Sequence, residues 1–287
     1  MKNTLTNISD MPNAKIVSGT CDIHGAWSYK LPSFLAKRGG QCLECVEVAK
    51  TLELDEYNKK QIQEGFERKQ NLIRDNFVKA AIPKRFLNRT FENYQANTQQ
   101  QQLALNVARH YASHFPERLE NGGGLILQGK PGTGKTHLAC AIANQVVTNG
   151  YAARFTTVMQ LVRAIRATWK RDSEQSEDKV LGSIITYDLL IIDEIGVQYE
   201  TESEKLILFD VLNGRYEEEK PTILLTNLVG AELNACIGER NVDRIQEGGG
   251  TTISFTWGSY RSNVYQNTEL KGESCADVAA KSIGQSA

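Results

Sequence analysis

The stretch Gly129-Lys130-Pro131-Gly132-Thr133-Gly134-Lys135-Thr136 matches the phosphate-loop pattern G-x-x-x-x-G-K-[ST] at every position. The apolar run LILQ precedes it, and THLACAIANQVV, which has the pattern of a helix, follows it. A glycine-rich turn between a strand and a helix lets backbone N–H groups surround phosphate oxygens, and the helix start adds a favourable dipole. The sequence therefore predicts an ATP site. Its phosphate-binding residues are Gly129, Pro131, Gly132, Thr133, Gly134, Lys135 and Thr136.

Two acids at the end of another apolar run complete the expected chemistry. Asp193 and Glu194 close the run LLIIDE, although a buried strand needs no charge at its end. Lys135 would reach the β- and γ-phosphates, the Thr136 hydroxyl would ligate Mg²⁺, and Asp193 would hold that ion through water. Glu194 would be the base that orients the attacking water. A kinase of small molecules needs no such glutamate, so the acidic pair favours ATP hydrolysis.

Three further residues are candidates for the same reaction. Asn227 follows the apolar run TILLT, and the carboxyl ends of parallel strands meet at one edge of a sheet. We therefore expect Asn227 to hydrogen-bond the attacking water or the γ-phosphate. Arg240 and Arg244 are four residues apart, on one helical face, and arginines can stabilise the transferring phosphoryl group within or between subunits. A pair of ordinary surface arginines is the alternative interpretation.

Apolar runs alternate with amphipathic stretches in the second half of the chain. The predicted strands are GLILQ, ARFTT, DLLIID, TILLTN and TTISFTW. The predicted helices are 98 to 113, a helix after Gly134, 158 to 169, and 202 to 217. Strands that alternate with helices indicate an α/β fold with a parallel sheet.

Composition sets limits on the kind of protein. The chain has 287 residues, a hydrophobic fraction of 40% and a formal net charge of −1, so nucleic-acid binding has to come from local patches. No stretch approaches the roughly 18 to 20 apolar residues that cross a bilayer, and the polar start is unlike a signal peptide. We therefore expect a cytoplasmic protein that does not contact a membrane.

Four residues near the N-terminus have the spacing of zinc ligands. Cys21 and His24 form one C-x₂-H pair, Cys42 and Cys45 form one C-x₂-C pair, and 17 residues separate the two pairs. This layout is typical of a structural Zn²⁺ ribbon, in which four protein ligands leave no open position for catalysis. The alternative is reduced cysteine residues and a surface histidine that are close only by chance.

The runs QGKPGTGKTHLACAIAN, DLLIIDEIGVQ, LLTN, IGERNVDRI and FTWGSYRSNV together resemble the DnaC/IstB-type AAA+ ATPases, the DnaC branch of helicase loaders more than the IstB branch. The resemblance covers residues 82 to 264. Many ATPases share the phosphate loop, whereas DEIGVQ and WGSYRSNV are far more specific to this family. The resemblance implies an AAA+ core.

The same resemblance implies the roles of the arginines and the partners. Arg240 matches the arginine that reaches the ATP of a neighbouring subunit, and Arg244 the arginine that senses the nucleotide of its own subunit. The ATP site would then lie between subunits of an ATP-dependent oligomer. Such loaders bind single-stranded DNA, attach to the hexameric replicative DNA helicase through their N-terminal region, and release it when ATP is hydrolysed.

Two places in the sequence could contact single-stranded DNA, which requires positive charge beside aromatic side chains. The stretch LVRAIRATWKR is the first, and a solvated amphipathic face is its alternative interpretation. Its basic and aromatic residues are Arg163, Arg166, Trp169, Lys170 and Arg171. The second is the group Trp257, Tyr260 and Arg261, for which we expect a structural role instead.

The chain is expected to contain five segments. They are a flexible N-terminus (1–20), a zinc-ribbon-like module (21–50), a helical linker that docks the helicase (51–81), the AAA+ domain (82–264) and a disordered tail (265–287). The charged stretch 46 to 80 predicts one long amphipathic helix. Residues 1 to 80 have no good match in the DnaC branch, and such a mosaic suits a phage or prophage gene.

The main functional alternative is an IstB-like ATPase that assists a DNA transposase, which the ending FTWGSYRSNV disfavours. A DNA-binding adaptor with a vestigial ATPase is a second alternative. The complete set of catalytic residues argues against it. A phosphate-loop kinase is a third, and it leaves the arginine pair unexplained.

Overall fold

The structure is a computed structural model that describes residues 13–38, 40–197 and 201–260. The chain divides into two compact units, Met1–Lys69 and Gln70–Ala287. The strands are β1 (Ala14–Cys21), β2 (Gly25–Pro32), β3 (Leu125–Gly129), β4 (Ala153–Thr157), β5 (Leu189–Ile195), β6 (Thr222–Thr226) and β7 (Thr251–Phe255). The helices are α1 (Ser33–Ala36), α2 (Leu43–Ala80), α3 (Gln99–Ser113), α4 (Phe115–Asn121), α5 (Lys135–Thr148), α6 (Val158–Thr168), α7 (Glu177–Ile185), α8 (Glu202–Glu217), α9 (Ala231–Ile237) and α10 (Glu239–Gln246).

The second unit is built on a five-stranded parallel sheet with the order β4-β5-β6-β3-β7. All five predicted strands and all four predicted helices of this unit are present, which confirms the expected α/β class. In the sheet, β3 pairs with both β6 and β7, so the strand that leads into the phosphate loop has a neighbour on each side. A parallel sheet of this kind is buried on both faces, which explains why its strands read as continuous apolar runs.

Alternate residues of each strand pack into two separate cores. Leu125, Leu127 and Ile191 pack on one face with apolar residues of α3 and α5. Ile126 and Ile192 pack on the other face with residues of α6 and α8. The period of two along a strand produces this division, and both layers exclude water from the sheet.

The first unit contains the antiparallel hairpin β1–β2, the short helix α1 and the first part of α2. β1 begins at Ala14, within the stretch that we expected to be flexible, and residues 1–12 lie outside the described part of the chain. The predicted long helix is present, but it begins at Leu43, three residues earlier than expected. Most of its apolar side chains are exposed, including Leu52, Tyr57 and Phe66.

The tail predicted for residues 265–287 lies outside the described residues. Within residues 13–38, 40–197 and 201–260, none of the helices combines the length and the apolar composition needed to span a lipid bilayer.

Candidate functional site

The phosphate loop connects β3 to α5, as the sequence predicts. Gly129, Gly132 and Gly134 have φ angles of 139°, 78° and 101°, which L-residues with a side chain rarely adopt. A Cβ atom at Gly129 would lie 2.3 Å from the carbonyl oxygen of Phe255, so only glycine fits beside β7. The glycines are therefore needed both for the turn and for the close approach of the neighbouring strand.

Lys135 ties the loop to the neighbouring strand β6. Its Nζ donates to the carbonyl oxygen of Lys130 and to Asn227 Oδ1, both at 2.9 Å. Asn227 follows the last residue of β6, so the structure brings this predicted residue to the phosphate loop. An ammonium group that bonds backbone carbonyls in this way is positioned to exchange them for phosphate oxygens.

Thr136 and Asp193 form the second contact between the loop and the sheet. The Thr136 hydroxyl donates to Asp193 Oδ2 at 3.1 Å, and the Glu194 N–H donates to Asp193 Oδ1 at 2.7 Å. A hydroxyl beside a carboxylate is a suitable oxygen donor set for Mg²⁺, which prefers hard ligands. The structure thus places Lys135, Thr136, Asp193 and Asn227 in one cluster.

Glu194 lies in a local irregularity of β5. The pairing of β5 with β6 shifts between Ile192 and Ile195, and the φ angle of Glu194 is 64°. A positive φ is uncommon for a residue with a side chain, and such strain is frequent at functional sites. The bulge leaves Glu194 exposed immediately after Asp193, at the same edge of the sheet as the phosphate loop.

Burial changes the proton affinity of both charged groups in the cluster. It raises the pKa of Asp193, while the Glu194 N–H, the Thr136 hydroxyl and Lys135 oppose this rise. Burial likewise lowers the pKa of Lys135, and the Asp193 carboxylate opposes that fall. Each group lacks the full complement of opposite charge that would offset its desolvation, as expected for a site that binds a charged ligand.

The two predicted arginines lie elsewhere. Arg244 Nη1 donates to Asn213 Oδ1 at 2.6 Å, and its guanidinium stacks on the ring of Tyr216 at 4.4 Å. Arg244 lines a cavity of about 440 Å³ together with Thr222, the first residue of β6. This cavity is at the amino edge of the sheet, one strand length or about 15 Å from the phosphate loop. Arg240 is exposed on the same helix, α10.

Arg244 thus lies at the edge of the sheet opposite the phosphate loop, and its expected role, to sense the nucleotide of its own subunit, stays a prediction. The reason for this position is topological, because α10 returns the chain to the start of β7 and therefore ends at the amino edge. The sequence pattern placed the arginines on one helix correctly but could not tell at which edge that helix ends.

Two aromatic residues contact the phosphate loop without having been assigned to it. A Cβ atom at Gly134 would lie 2.8 Å from the Tyr94 ring, and Tyr94 also packs edge-on against His137. Trp257 Nε1 donates to the carbonyl oxygen of Thr133 at 2.9 Å. No local pattern marks Tyr94, whereas Trp257 belongs to the run FTWGSY, for which we expected only a structural role.

The basic helix α6 is partly committed to contacts within the chain. Arg166 forms an ion pair with the buried Glu204 at 3.0 Å, and Trp169 Nε1 donates to Glu177 Oε2 at 2.7 Å. Arg163, Lys170 and Arg171 are exposed. All five candidate DNA contacts are thus exposed, although Arg166 and Trp169 also bond to acidic side chains of this chain. Arg261 lies outside the described residues.

Cys21, His24, Cys42 and Cys45 converge in the first unit. Their ligand atoms all lie within 4.8 Å of one another. His24 Nδ1 is 3.5 Å from Cys42 Sγ and 3.3 Å from Cys45 Sγ, and the Cys21 and Cys45 sulfur atoms are 3.4 Å apart. A tetrahedron with Zn–S bonds of about 2.3 Å has sulfur atoms about 3.8 Å apart, so the spacing of the four donors is compatible with a zinc ion.

The elements around the cluster support the same interpretation. Cys21 and His24 lie at the turn of the β1–β2 hairpin, whereas Cys42 and Cys45 lie at the start of α2. The second pair is thus on a helix and not on a second hairpin. His24 Nε2 faces Glu44 Oε2 at 3.6 Å, and a carboxylate on the far nitrogen is the usual partner of a metal-binding histidine.

Comparisons with known proteins agree with this geometry. Residues 54–245 match the family described as IstB-like ATP binding protein. The replicative helicase loader DnaC of Escherichia coli K12 is 38% identical over 188 residues, which cover 66% of this chain and 75% of that protein. The E. coli K12 protein YdaV is 34% identical over 221 residues, covering 74% of this chain and 86% of that protein.

The fold agrees as well. The crystal structure of the DnaC helicase loader superposes with a TM-score of 0.52 at 24% identity, covering 60% of this chain and 98% of that chain. The family match spans more than half of the chain, and the structure brings Asp193 and Asn227 to the phosphate loop. The chain therefore belongs to the IstB-like ATP-binding protein family and is an ATPase of the AAA+ class.

Proposed function

We propose that this ATPase is a helicase loader. It binds the replicative DNA helicase and single-stranded DNA, delivers the helicase during the initiation of replication, and releases it when ATP is hydrolysed. The observation that carries this proposal is the 38% identity to a replicative helicase loader over 75% of that protein's length. An IstB-like helper of a transposase has less support, because curated relatives that are 38% and 33% identical to this chain are replicative helicase loaders.

The contacts at the carboxyl edge of the sheet support the assignment of catalytic roles. Thr136 and Asp193 hold Mg²⁺, which offsets the negative charge of the phosphates when it is bound. Lys135 and the loop N–H groups bind the phosphates, and Asn227 keeps Lys135 in position. Glu194, exposed by its bulge, orients the attacking water.

The position of α10 supports a site shared between subunits. Arg244 lies at the amino edge of the sheet, about 15 Å or one strand length from the phosphate loop of its own chain. An arginine at that distance does not reach its own γ-phosphate, so we assign Arg244, together with Arg240 on the same helix, to the ATP of a neighbouring copy. ATP hydrolysis then depends on assembly.

The first unit and helix α6 are the proposed partner sites. Cys21, His24, Cys42 and Cys45 hold a structural Zn²⁺, and the N-terminal region that it orders docks the helicase. The exposed Arg163, Lys170 and Arg171 supply positive charge for the phosphate backbone of single-stranded DNA, whose binding is then strongly salt-dependent.

The test is to mix the purified protein with the replicative helicase of its host and to weigh the complexes by native mass spectrometry, with and without ATP. We expect several copies of this chain on each helicase hexamer. Lys135→Ala, which removes the phosphate contact, should abolish the ATP-dependent part of the assembly. Glu194→Gln should bind ATP yet remain on the helicase, because turnover stops.

The matched control is Lys130→Ala, which changes the neighbouring lysine whose side chain takes no part in the cluster. If no complex forms under any nucleotide condition while the ATPase is active, the helicase-loader proposal is wrong. A transposase would then be the next partner to test.

A further inference from the structure

A short segment after β7 lies directly on the phosphate loop. Trp257 Nε1 donates to the carbonyl oxygen of Thr133, and the Tyr260 N–H donates to the carbonyl oxygen of Gly132, both at 2.9 Å. The segment is close enough that a Cβ atom at Gly132 would overlap Ser259. Two hydrogen-bond donors from outside the loop thus hold two successive peptide groups within it.

The geometry of the peptide bond gives these contacts a consequence. In a planar trans peptide, the carbonyl of one residue and the N–H of the next point in opposite directions. A donor that holds the Thr133 carbonyl outward therefore turns the Gly134 N–H inward. In the same way, the Tyr260 N–H turns the Thr133 N–H inward, and inward N–H groups are those that bind phosphate.

The surroundings of Trp257 restrict the movement of its indole ring, which can therefore keep the Thr133 carbonyl in place. It is half-buried, packs against the apolar core between the sheet and α5, and contacts the ring of Phe255 at 4.9 Å. The loop itself has little rigidity of its own, because its glycines have many accessible conformations. An anchored indole restricts these conformations before ATP arrives, which lowers the entropic cost of binding.

We propose that Trp257 and the backbone of Tyr260 are positioning groups for ATP binding. They orient the Thr133 and Gly134 N–H groups toward the phosphates, and they touch neither the substrate nor the reacting atoms. The run WGSY is then part of the nucleotide site, although it follows the phosphate loop by more than a hundred residues.

The first test is Trp257→Phe, which keeps an aromatic ring and removes the N–H donor. We expect ATP affinity, measured by isothermal titration calorimetry, to fall about tenfold, with the KM for ATP rising in parallel and kcat changing much less. Trp169→Phe is the matched control, because it removes an indole donor that bonds Glu177 at a distance from the loop. A folded Trp257→Phe protein with unchanged ATP affinity would overturn the proposal.

The second test addresses the backbone donor. Tyr260→Pro removes the N–H and should weaken ATP binding severalfold, whereas Tyr260→Ala keeps the N–H and should not. Tyr260 is 49% exposed, so truncation of its side chain to alanine should remove few packing contacts. Equal affinities for the two variants would count against the positioning role.

If Trp257→Phe or Tyr260→Pro does not fold, the proposal can be tested by NMR on the unmodified protein. The indole N–H resonance of Trp257 should shift when ATP binds, while that of Trp169 should not. The absence of any shift at saturating ATP would overturn the proposal. Because every readout is ATP binding, these results are independent of whether a helicase binds.

Discussion

The two units of the chain differ in how much apolar surface each buries. Among the described residues of the first unit, only Pro32 and Cys42 are buried, and large apolar side chains such as Ile16 and Phe34 are about 70% exposed. The second unit buries two apolar layers, one on each face of its sheet. The hydrophobic effect can therefore stabilise the second unit alone, whereas the first needs another source of free energy. A metal ion bound by its four converging donors would supply that free energy.

The largest expected effect follows directly from this difference. Removal of zinc by a chelator, or Cys42→Ser, should unfold the β1–β2 hairpin, because binding a structural zinc contributes about 10–16 kcal/mol. Hydrogen exchange measured by mass spectrometry should show loss of protection in residues 14–45 and unchanged protection in the sheet of the second unit. Cys236→Ser, at a thiol outside the cluster, should leave both units protected. If the hairpin stayed protected from exchange without metal, the first unit would not depend on a metal for its stability.

The next effect tests a buried polar group of the second unit. Arg215 is fully buried and donates five hydrogen bonds, four of them to backbone carbonyls around α7 and β6. Arg215→Leu leaves those carbonyls without donors and should lower the free energy of unfolding by about 3–5 kcal/mol in urea titrations. Arg163→Leu, an exposed change, should cost less than about 0.5 kcal/mol. If the two variants lost similar amounts of unfolding free energy, apolar packing would be able to replace the hydrogen bonds of Arg215.

Asp193 is a buried carboxyl group at the proposed Mg²⁺ site, and burial raises its pKa. Its raised pKa means that the protonated carboxyl favours the folded state below its ordinary pKa, and that this contribution is lost as the pH rises through the raised value. Asp193→Asn should therefore raise the Tm of the nucleotide-free protein at neutral pH and flatten its acidic pH dependence. ATP hydrolysis should fall by more than about 100-fold. A lower Tm at neutral pH would show that the carboxylate stabilises the fold.

The smallest effect concerns a single helix end. Thr98 and Gln101 form a capping box at the start of α3, with the Gln101 N–H donating to Thr98 Oγ1 at 3.2 Å. Thr98→Ala should cost about 1 kcal/mol, visible as a decrease of a few degrees in Tm by calorimetry. Thr51→Ala, in the middle of α2, has no cap to lose and should leave the Tm unchanged. A larger loss at Thr51 would contradict the idea that the second unit sets the main thermal transition.

Sequence patterns predicted the parallel sheet and the residues at the ends of its strands, because burial on both faces of the sheet is visible in the local sequence. The strands of the parallel sheet are continuous apolar runs because both faces are buried. Asp193 and Asn227 stand at the ends of such runs, and Lys135 ends the glycine-rich loop that follows another. Ala14–Cys21 is a strand without such a run, and its residues are half-buried or exposed, so its hairpin was not predicted. The hydrogen bond from Trp257 to Thr133 joins residues that are far apart in sequence, so a motif with fixed residue spacing cannot predict it.

The separation of Arg244 from its own phosphate loop has a consequence for assembly. A contact in which the amino edge of one copy serves the carboxyl edge of the next uses two different surfaces, so it is heterologous and leaves one surface of each kind free at the ends. Such a contact does not close between two copies as a two-fold contact does, so the proposed assembly is either a ring or an open chain. In an open chain, the copy at one end would have an ATP that no arginine of a neighbour reaches.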